Sequence, residues 1–269
     1  SRFSAVAAYA GRVFFAGMTS PRSSSRVYFS WLVQSIDDVG NFYQVNDPTA
    51  ENFSDLLDTD GGYVTITEAM NIKAMHVSGS KLLVFAENGV WAISGVDDVF
   101  RATDFVIEKI SEYGIDSPAS LVSASGRPYW WSTVGIHTIG VNEYKTFTEN
   151  NISLPTIQSF WDKITPSGKA SVIGGYDILN GRVFWVYGDE GQSIYLRKNV
   201  LILDEVQGAF LPWTVSCSTD TPWLIGVIPV NSSFEDGLGD KLKFPCVTLD
   251  GQLGFSEETS KDFVDWGTQ

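Results

Sequence analysis

The segment "LLDTDGGYVTITE", residues 56 to 68, sets Asp58, Asp60 and Gly61 at the spacing of a calcium loop, in which alternate carboxylates surround a hard cation and a glycine makes the sharp turn. The register fails. With Asp58 and Asp60 as third and fifth ligands, the first position is Leu56, the twelfth is Thr67, and Glu68 arrives one residue late. An acidic turn entering a strand is the simpler reading. His76 and His137 are the only histidines, and neither has a second histidine or a cysteine at metal-ligand spacing. His137 sits in an apolar run with Ile136 and Ile139, which suits a packed or surface histidine better than a catalytic base. Glycoside hydrolysis needs two carboxyl groups about 5 Å or about 6.5–9.5 Å apart. Among 32 acidic residues such a pair is not excluded, but Asp37-Asp38, Asp97-Asp98 and Glu257-Glu258 read as solvated turns.

The stretch "ENGVWAIS" shares a glycine and a tryptophan, Gly89 and Trp91, with the Asp-box turn of sialidases, but it lacks the Ser/Thr-Asp pair, and the tryptophan comes too early. No phosphate-cradling glycine loop, Cys-x-x-Cys pair or nucleophile elbow is present. The sequence therefore specifies no catalytic, cofactor-binding or metal-binding residue. Cys217 and Cys246 are too few for a disulfide framework in a chain of this length and are expected as thiols.

The elements around these residues are strands. In "SGSKLLVFAENGVWAISG", residues 78 to 95, two apolar runs flank Asn88-Gly89, a pair suited to a two-residue type I′ turn. That turn predicts Val84 opposite Ile93 and Phe85 opposite Ala92. Alternation then gives one face to Leu82, Val84, Trp91 and Ile93 and the other to Leu83, Phe85, Val90 and Ala92. Both faces are apolar, so the hairpin is expected between two other layers. The plan recurs in "GRPYWWSTVGIHTIGV" (126 to 141), in "NVLILDEVQGAFLPWTV" (199 to 215) and in "FPCVTLDGQLGFS" (244 to 256), where the turn falls at Asp250-Gly251. "GRVFFAG" (11 to 17) and "NGRVFWVYG" (180 to 188) add strands that share an opening Gly-Arg-Val. The matching glycines 89 and 135 are 46 residues apart, and 208 and 251 are 43 apart. These intervals fit a propeller blade of about 40–50 residues. The expected fold is all-β, a propeller-like series of antiparallel blades, with a β-sandwich as the alternative. One short helix is expected in "SLPTIQSFWDKITPSG", where Ile157, Phe160, Trp161 and Ile164 share a face and Pro166 and Gly168 end it.

Composition sets outer limits. The chain has 269 residues, 43% of them hydrophobic, with a formal charge of -14, which disfavours a broad phosphate-binding surface. No apolar stretch approaches the roughly 20 residues of a bilayer span, so membrane insertion is not expected. Both ends read as interior sequence. Residues 1 to 269 are thus expected to be a propeller platform excerpted from a longer chain, with incomplete terminal blades.

Taken in order, "GRVFFAGMTSPRSSSRVYFSWLVQSIDDVGNFYQ", "NIKAMHVSGSKLLVFAENGVWAISG", "ISLPTIQSFWDKI", "GRVFWVYG" and "DFVDWG" resemble the tail nozzle proteins of short-tailed bacteriophages, the tail tubular protein B type. The resemblance implies a structural virion component, assembled in the host cytoplasm, and no enzymatic activity or cofactor. It implies a hexameric ring that contacts the tail adaptor and fibre proteins and passes double-stranded DNA without gripping it. The acidic balance is consistent with a conduit that repels the DNA backbone. The alternative is a propeller module that binds or hydrolyses glycans of a host surface polysaccharide, with Tyr43 or Trp223 as sugar platforms.

Overall fold

The computed structural model describes residues 2–44, 57–142, 146–188, 197–215, 223–227, 243–247 and 253–257. Its strands fall into five antiparallel sheets. The first holds β1 (Ala5–Tyr9), β2 (Arg12–Ala16), β3 (Arg26–Phe29) and β4 (Gly62–Thr65). The second holds β5 (Ala74–Ser78), β6 (Lys81–Ala86), β7 (Gly89–Ser94) and β8 (Val106–Ser111). The third holds β9 (Val122–Ala124), β10 (Arg127–Trp131), β11 (Ile136–Val141) and β12 (Phe147–Asn151). Two short helices follow, α1 (Gln158–Trp161) and α2 (Pro166–Ala170). The fourth sheet holds β13 (Ile173–Asp177), β14 (Arg182–Tyr187), β15 (Asn199–Asp204) and β16 (Ala209–Thr214). The last holds β17 (Trp223–Leu224), β18 (Lys243–Val247) and β19 (Leu253–Glu257). Within every sheet, neighbours in space are neighbours in sequence. This up-and-down meander of four strands is the blade unit of propellers, whereas an immunoglobulin-type sandwich exchanges strands between sheets. The fold is all-β and propeller-like.

Two compact units are present, residues 1–115 with 145–148, and residues 116–144 with 149–269. In the first, one core joins the first two sheets through Phe14, Val27, Phe29 and Val64 on one side and Leu82, Val84, Trp91 and Ile93 on the other. The opposite face of the first sheet is a ladder of rings: Phe15 opposes Tyr28, and Tyr28 opposes Tyr63, with Phe42 edge-on to Phe15 and Phe3 edge-on to Tyr28 and tilted on Phe15. In the second unit the fourth sheet is covered on both faces. Val183, Trp185 and Leu201 join a core with β10 and α1, while Phe184, Val200 and Ile202 join another with Leu224 and Phe244.

The hairpin of β6 and β7 has the expected faces but not the expected turn. Val84 opposes Trp91 and Ala86 opposes Gly89, so the loop is Glu87-Asn88. Asn88 bridges to the neighbouring loop instead of supplying a left-handed turn: its Oδ1 accepts from the Met70 amide (2.8 Å) and its Nδ2 donates to the Glu68 carbonyl (2.8 Å). Gly89 is required by closeness, since a Cβ there would stand 2.7 Å from the Ser111 carbonyl oxygen. Moving the partner by two residues leaves every side chain on its original face, because the side-chain period is two. The paired left-handed residues of two-residue hairpins occur instead at Ala10-Gly11 and Ser125-Gly126. The Asp250-Gly251 turn lies outside the described residues; β18 and β19 pair antiparallel, but with Val247 opposite Leu253, one residue off the register that a two-residue turn there would give.

Trp91 is 3% exposed, and Phe85 and Ile93 are fully buried. Trp91→Ala is expected to cost about 3–5 kcal/mol, the range for deleting a packed indole. Chemical unfolding followed by fluorescence measures it, and a loss below about 1 kcal/mol contradicts the packing described.

The expected single helix is two. Ile157, Phe160, Trp161 and Ile164 do turn one face to the core. Pro166, however, starts α2 rather than ending α1. Proline is pre-set for the first helical position, where its missing N–H is not needed. Thr165 caps the turn by accepting from the Gly168 amide at 3.1 Å.

Candidate functional site

Among the described residues, the second unit holds an array that resembles a proton relay. The β10–β11 loop carries Ser132, β11 carries His137 and β12 carries Glu149. Ser132 Oγ lies 2.8 Å from His137 Nε2, and His137 Nδ1 lies 2.5 Å from Glu149 Oε1. Trp130 stacks on the imidazole at 5.5 Å and 25°. Burial lowers the His137 pKa, with the Glu149 hydrogen bond and charge opposing it. The ring is therefore neutral at pH 7. A carboxylate can only accept, so Nδ1 carries the proton and donates to Glu149, and bare Nε2 accepts from the Ser132 hydroxyl.

This order of hydroxyl, imidazole and carboxylate is that of an activated serine nucleophile. Two observations remove that chemistry. Ser132 is 2% exposed and His137 is fully buried, so a substrate carbonyl has no approach to Oγ. Oγ is also saturated, since it accepts from the amides of Val134 (3.1 Å) and Gly135 (3.2 Å) while donating to His137. Lone pairs held by amides do not attack. The relay fastens a turn.

A second polar cluster joins the third and fourth sheets at their hairpin ends. Glu205 accepts from Tyr129 at 2.9 Å and from Ser125 at 3.0 Å, and Ser125 is 3.0 Å from the Tyr176 hydroxyl. Burial, then Glu205, pushes the Tyr129 phenol up to about 12. Both phenols stay protonated as donors, Tyr129 to the Glu205 carboxylate and Tyr176 to the Ser125 hydroxyl, which donates in turn to Glu205. Among the described residues, no group of three or more His, Cys, Asp or Glu side chains could hold a metal ion.

No family model matches this chain, and no curated protein matches it. Solved structures similar to it include a virginiamycin B lyase from Staphylococcus aureus (TM-score 0.44, 10% identity, 96% of this chain and 71% of that one). Another is an ancestral GH74 enzyme (0.45, 11%, 97% and 38%), and a third is the WD40 domain of SCAP from fission yeast (0.45, 10%, 99% and 56%). The chain thus spans little more than a third of the second and just over half of the third. Overlap at this level carries no activity across to this chain.

The residues singled out in the sequence do not converge. Asp58 and Asp60 offer backbone carbonyls to Arg12, whose Nη1 donates to the carbonyl oxygens of Asp60 (2.5 Å) and Ser30 (2.6 Å) and whose Nη2 donates to that of Asp58. The Asp60 carboxylate accepts from the Leu57 amide at 2.8 Å, so this is the acidic turn expected and not a calcium loop. His76 is half-buried in β5, and burial lowers its pKa. Asp38 accepts from the amides of Gln34 and Ser35, and Asp97 pairs with Arg101 at 2.7 Å. Tyr43 packs edge-on against Trp31, with ring centroids 5.2 Å apart. Trp223 is half-buried in β17. Cys246 is buried, its thiol 3.1 Å from the Phe244 carbonyl oxygen, and Cys217 and Glu258 lie outside the described residues. The relay was missed from sequence because Ser132, His137 and Glu149 share no motif spacing. A serine and a glutamate flanking a lone strand histidine was the only available signal.

Proposed function

We propose that this chain is a subunit of a phage tail nozzle: a ring-forming structural component that retains DNA and then passes it during ejection. The observation that carries the reading is the ordered series of motifs resembling that family, from "GRVFFAG" through "LLVFAENGVWAISG" to "GRVFWVYG". Those motifs coincide with the packed strands β2, β6, β7 and β14. They therefore describe a scaffold rather than a reactive site. The charge of -14 supports the same reading, because a polyanion passes a carboxylate-rich wall without sticking.

A conduit needs contacts that close by rotation, since head-to-tail contacts that fail to close build filaments. Mixed with its tail adaptor, the protein is expected to form a six-fold ring visible in particle images. Its affinity for duplex DNA is expected to be weaker than about 10⁻⁴ M even at low salt, where phosphate contacts are strongest. A chain that never enters a particle, or that binds DNA tightly at moderate salt, overturns the proposal. Turnover of capsular or lipopolysaccharide glycans by the purified protein, lost on a single Asp or Glu substitution, replaces it with the glycosidase reading.

A further inference from the structure

We propose that His137 is an acid-operated latch on the loop of residues 132–135: one proton added to its Nε2 takes Ser132 Oγ away from the backbone amides that it holds.

The argument is a count of hydrogen-bond capacity around one oxygen. A serine hydroxyl has one proton to give and two lone pairs to accept with. With His137 neutral, the proton goes to Nε2 at 2.8 Å, and the lone pairs receive the amides of Val134 (3.1 Å) and Gly135 (3.2 Å). Every capacity is used. When Nε2 is protonated it becomes a donor aimed at Oγ, and the Ser132 proton must turn away. The Gly135 carbonyl oxygen stands 3.2 Å from Oγ and takes it. Oγ then faces three N–H groups with two lone pairs. The imidazolium is the strongest donor of the three, so one loop amide loses its partner in a site where Ser132 is 2% exposed.

The surroundings decide when this happens. Glu149 on β12 is a charge facing the ring. From β10 and its loop the ring meets Trp130 and Ser132, which carry no charge. Burial outweighs Glu149 and holds the folded pKa below its ordinary value of 6.5. The unfolded chain therefore takes up the proton first. The latch's contribution to stability is present above about pH 6.5 and is lost as pH falls below it. The loop that loosens leads directly into β11, and the hydrogen bonds from Ile136 to Ser153 Oγ (3.0 Å) and from Ile152 to the Ile136 carbonyl (2.9 Å) lie next to it. The junction after β12 is thereby exposed to the same event.

This inference does not depend on the nozzle reading, and its test contains neither DNA nor ring assembly. Amide exchange of Val134 and Gly135 is measured by NMR on the full chain from about pH 8 to about pH 5 and corrected for intrinsic rates. Protection of at least one of the two amides is expected to fall about tenfold across the His137 titration, while amides of the β14–β15 ladder stay unchanged. Ring nitrogen shifts of the same sample report the tautomer and place protonation below pH 6.5. His137→Gln removes the titration and is expected to flatten the exchange profile. If that variant does not fold, Glu149→Gln serves instead and moves the transition to lower pH by removing the opposing charge. Protonation of His137 with both loop amides still protected overturns the latch, as does an Nε2–H tautomer at neutral pH.

Discussion

Arg12→Leu is expected to destabilise the first unit by about 3–5 kcal/mol, because buried carbonyl oxygens are left without their donor at about 1–3 kcal/mol each. Arg12 is 2% exposed, and its guanidinium donates to the carbonyl oxygens of Ser30, Asp58 and Asp60. It also lies over the rings of Phe29 at 5.5 Å and Phe100 at 6.0 Å. Burial lowers its pKa while Asp60 and Asp58 oppose that fall, so the group remains a cation through the working range. Leucine restores some apolar volume but takes the donor from three carbonyl oxygens, of which those of the buried Ser30 and Asp60 carry a desolvation cost with no compensation. Lysine keeps the charge but is a point donor that cannot span three acceptors, so Arg12→Lys is expected to recover only part of the loss. Urea unfolding read by tryptophan fluorescence decides the matter through a lowered midpoint at unchanged slope. A Leu variant within about 1 kcal/mol of the parent means that the carbonyls find water, and the clamp is then incidental.

Trp185→Ala is expected to cost the second unit about 3–5 kcal/mol by loss of transfer energy and creation of a cavity. The side chain is fully buried, and its Nε1 donates to the Ser120 carbonyl at 3.0 Å, so truncation orphans an acceptor as well. It belongs to an aromatic group in which Trp131 lies 6.0 Å from Trp185 and 4.6 Å from Trp161. The partner across the strand pair is Gly174, and its lack of a side chain makes the room: a Cβ there would meet Trp185 Cδ1 at 2.8 Å and Val122 at 2.3 Å. Neighbouring side chains this constrained do not collapse into the void. Trp185→Phe separates the contributions, since it keeps most of the apolar area and loses the hydrogen bond, and about 1–2 kcal/mol is expected. If Trp185→Ala and Trp185→Phe cost the same in chemical denaturation, the indole's bulk is not what holds the two sheets together.

Arg12 shows where sequence reading stops. Both "GRVFFAG" and "NGRVFWVYG" open a strand with Gly-Arg-Val, and the glycines behave alike, with φ of 71° at Gly11 and 62° at Gly181. The arginines do not. Arg182 is half-exposed, with its Nε 3.4 Å from Asp204, whereas Arg12 is enclosed by carbonyls from residues 18, 46 and 48 positions away. Identical local sequence met different loops, and the loops set the burial.

The sequence by itself determined the strands of the quoted hairpins, the two faces of the β6–β7 pair and the blade-like spacing, because these depend on a two-residue side-chain period and on turn-forming residues close in the chain. Tertiary structure decided the rest. At Asn88-Gly89 the side-chain bonds of Asn88 to residues 68 and 70 set the loop one position earlier than local turn preference predicts. At His137 the strand pairing brings Glu149, twelve residues away, onto Nδ1, while the preceding loop returns Ser132 to Nε2. Both outcomes rest on contacts made from outside the local segment, by exposed side-chain hydrogen bonds at Asn88 and by buried ones at His137. Burial belongs to the assembled sheets and to no single segment.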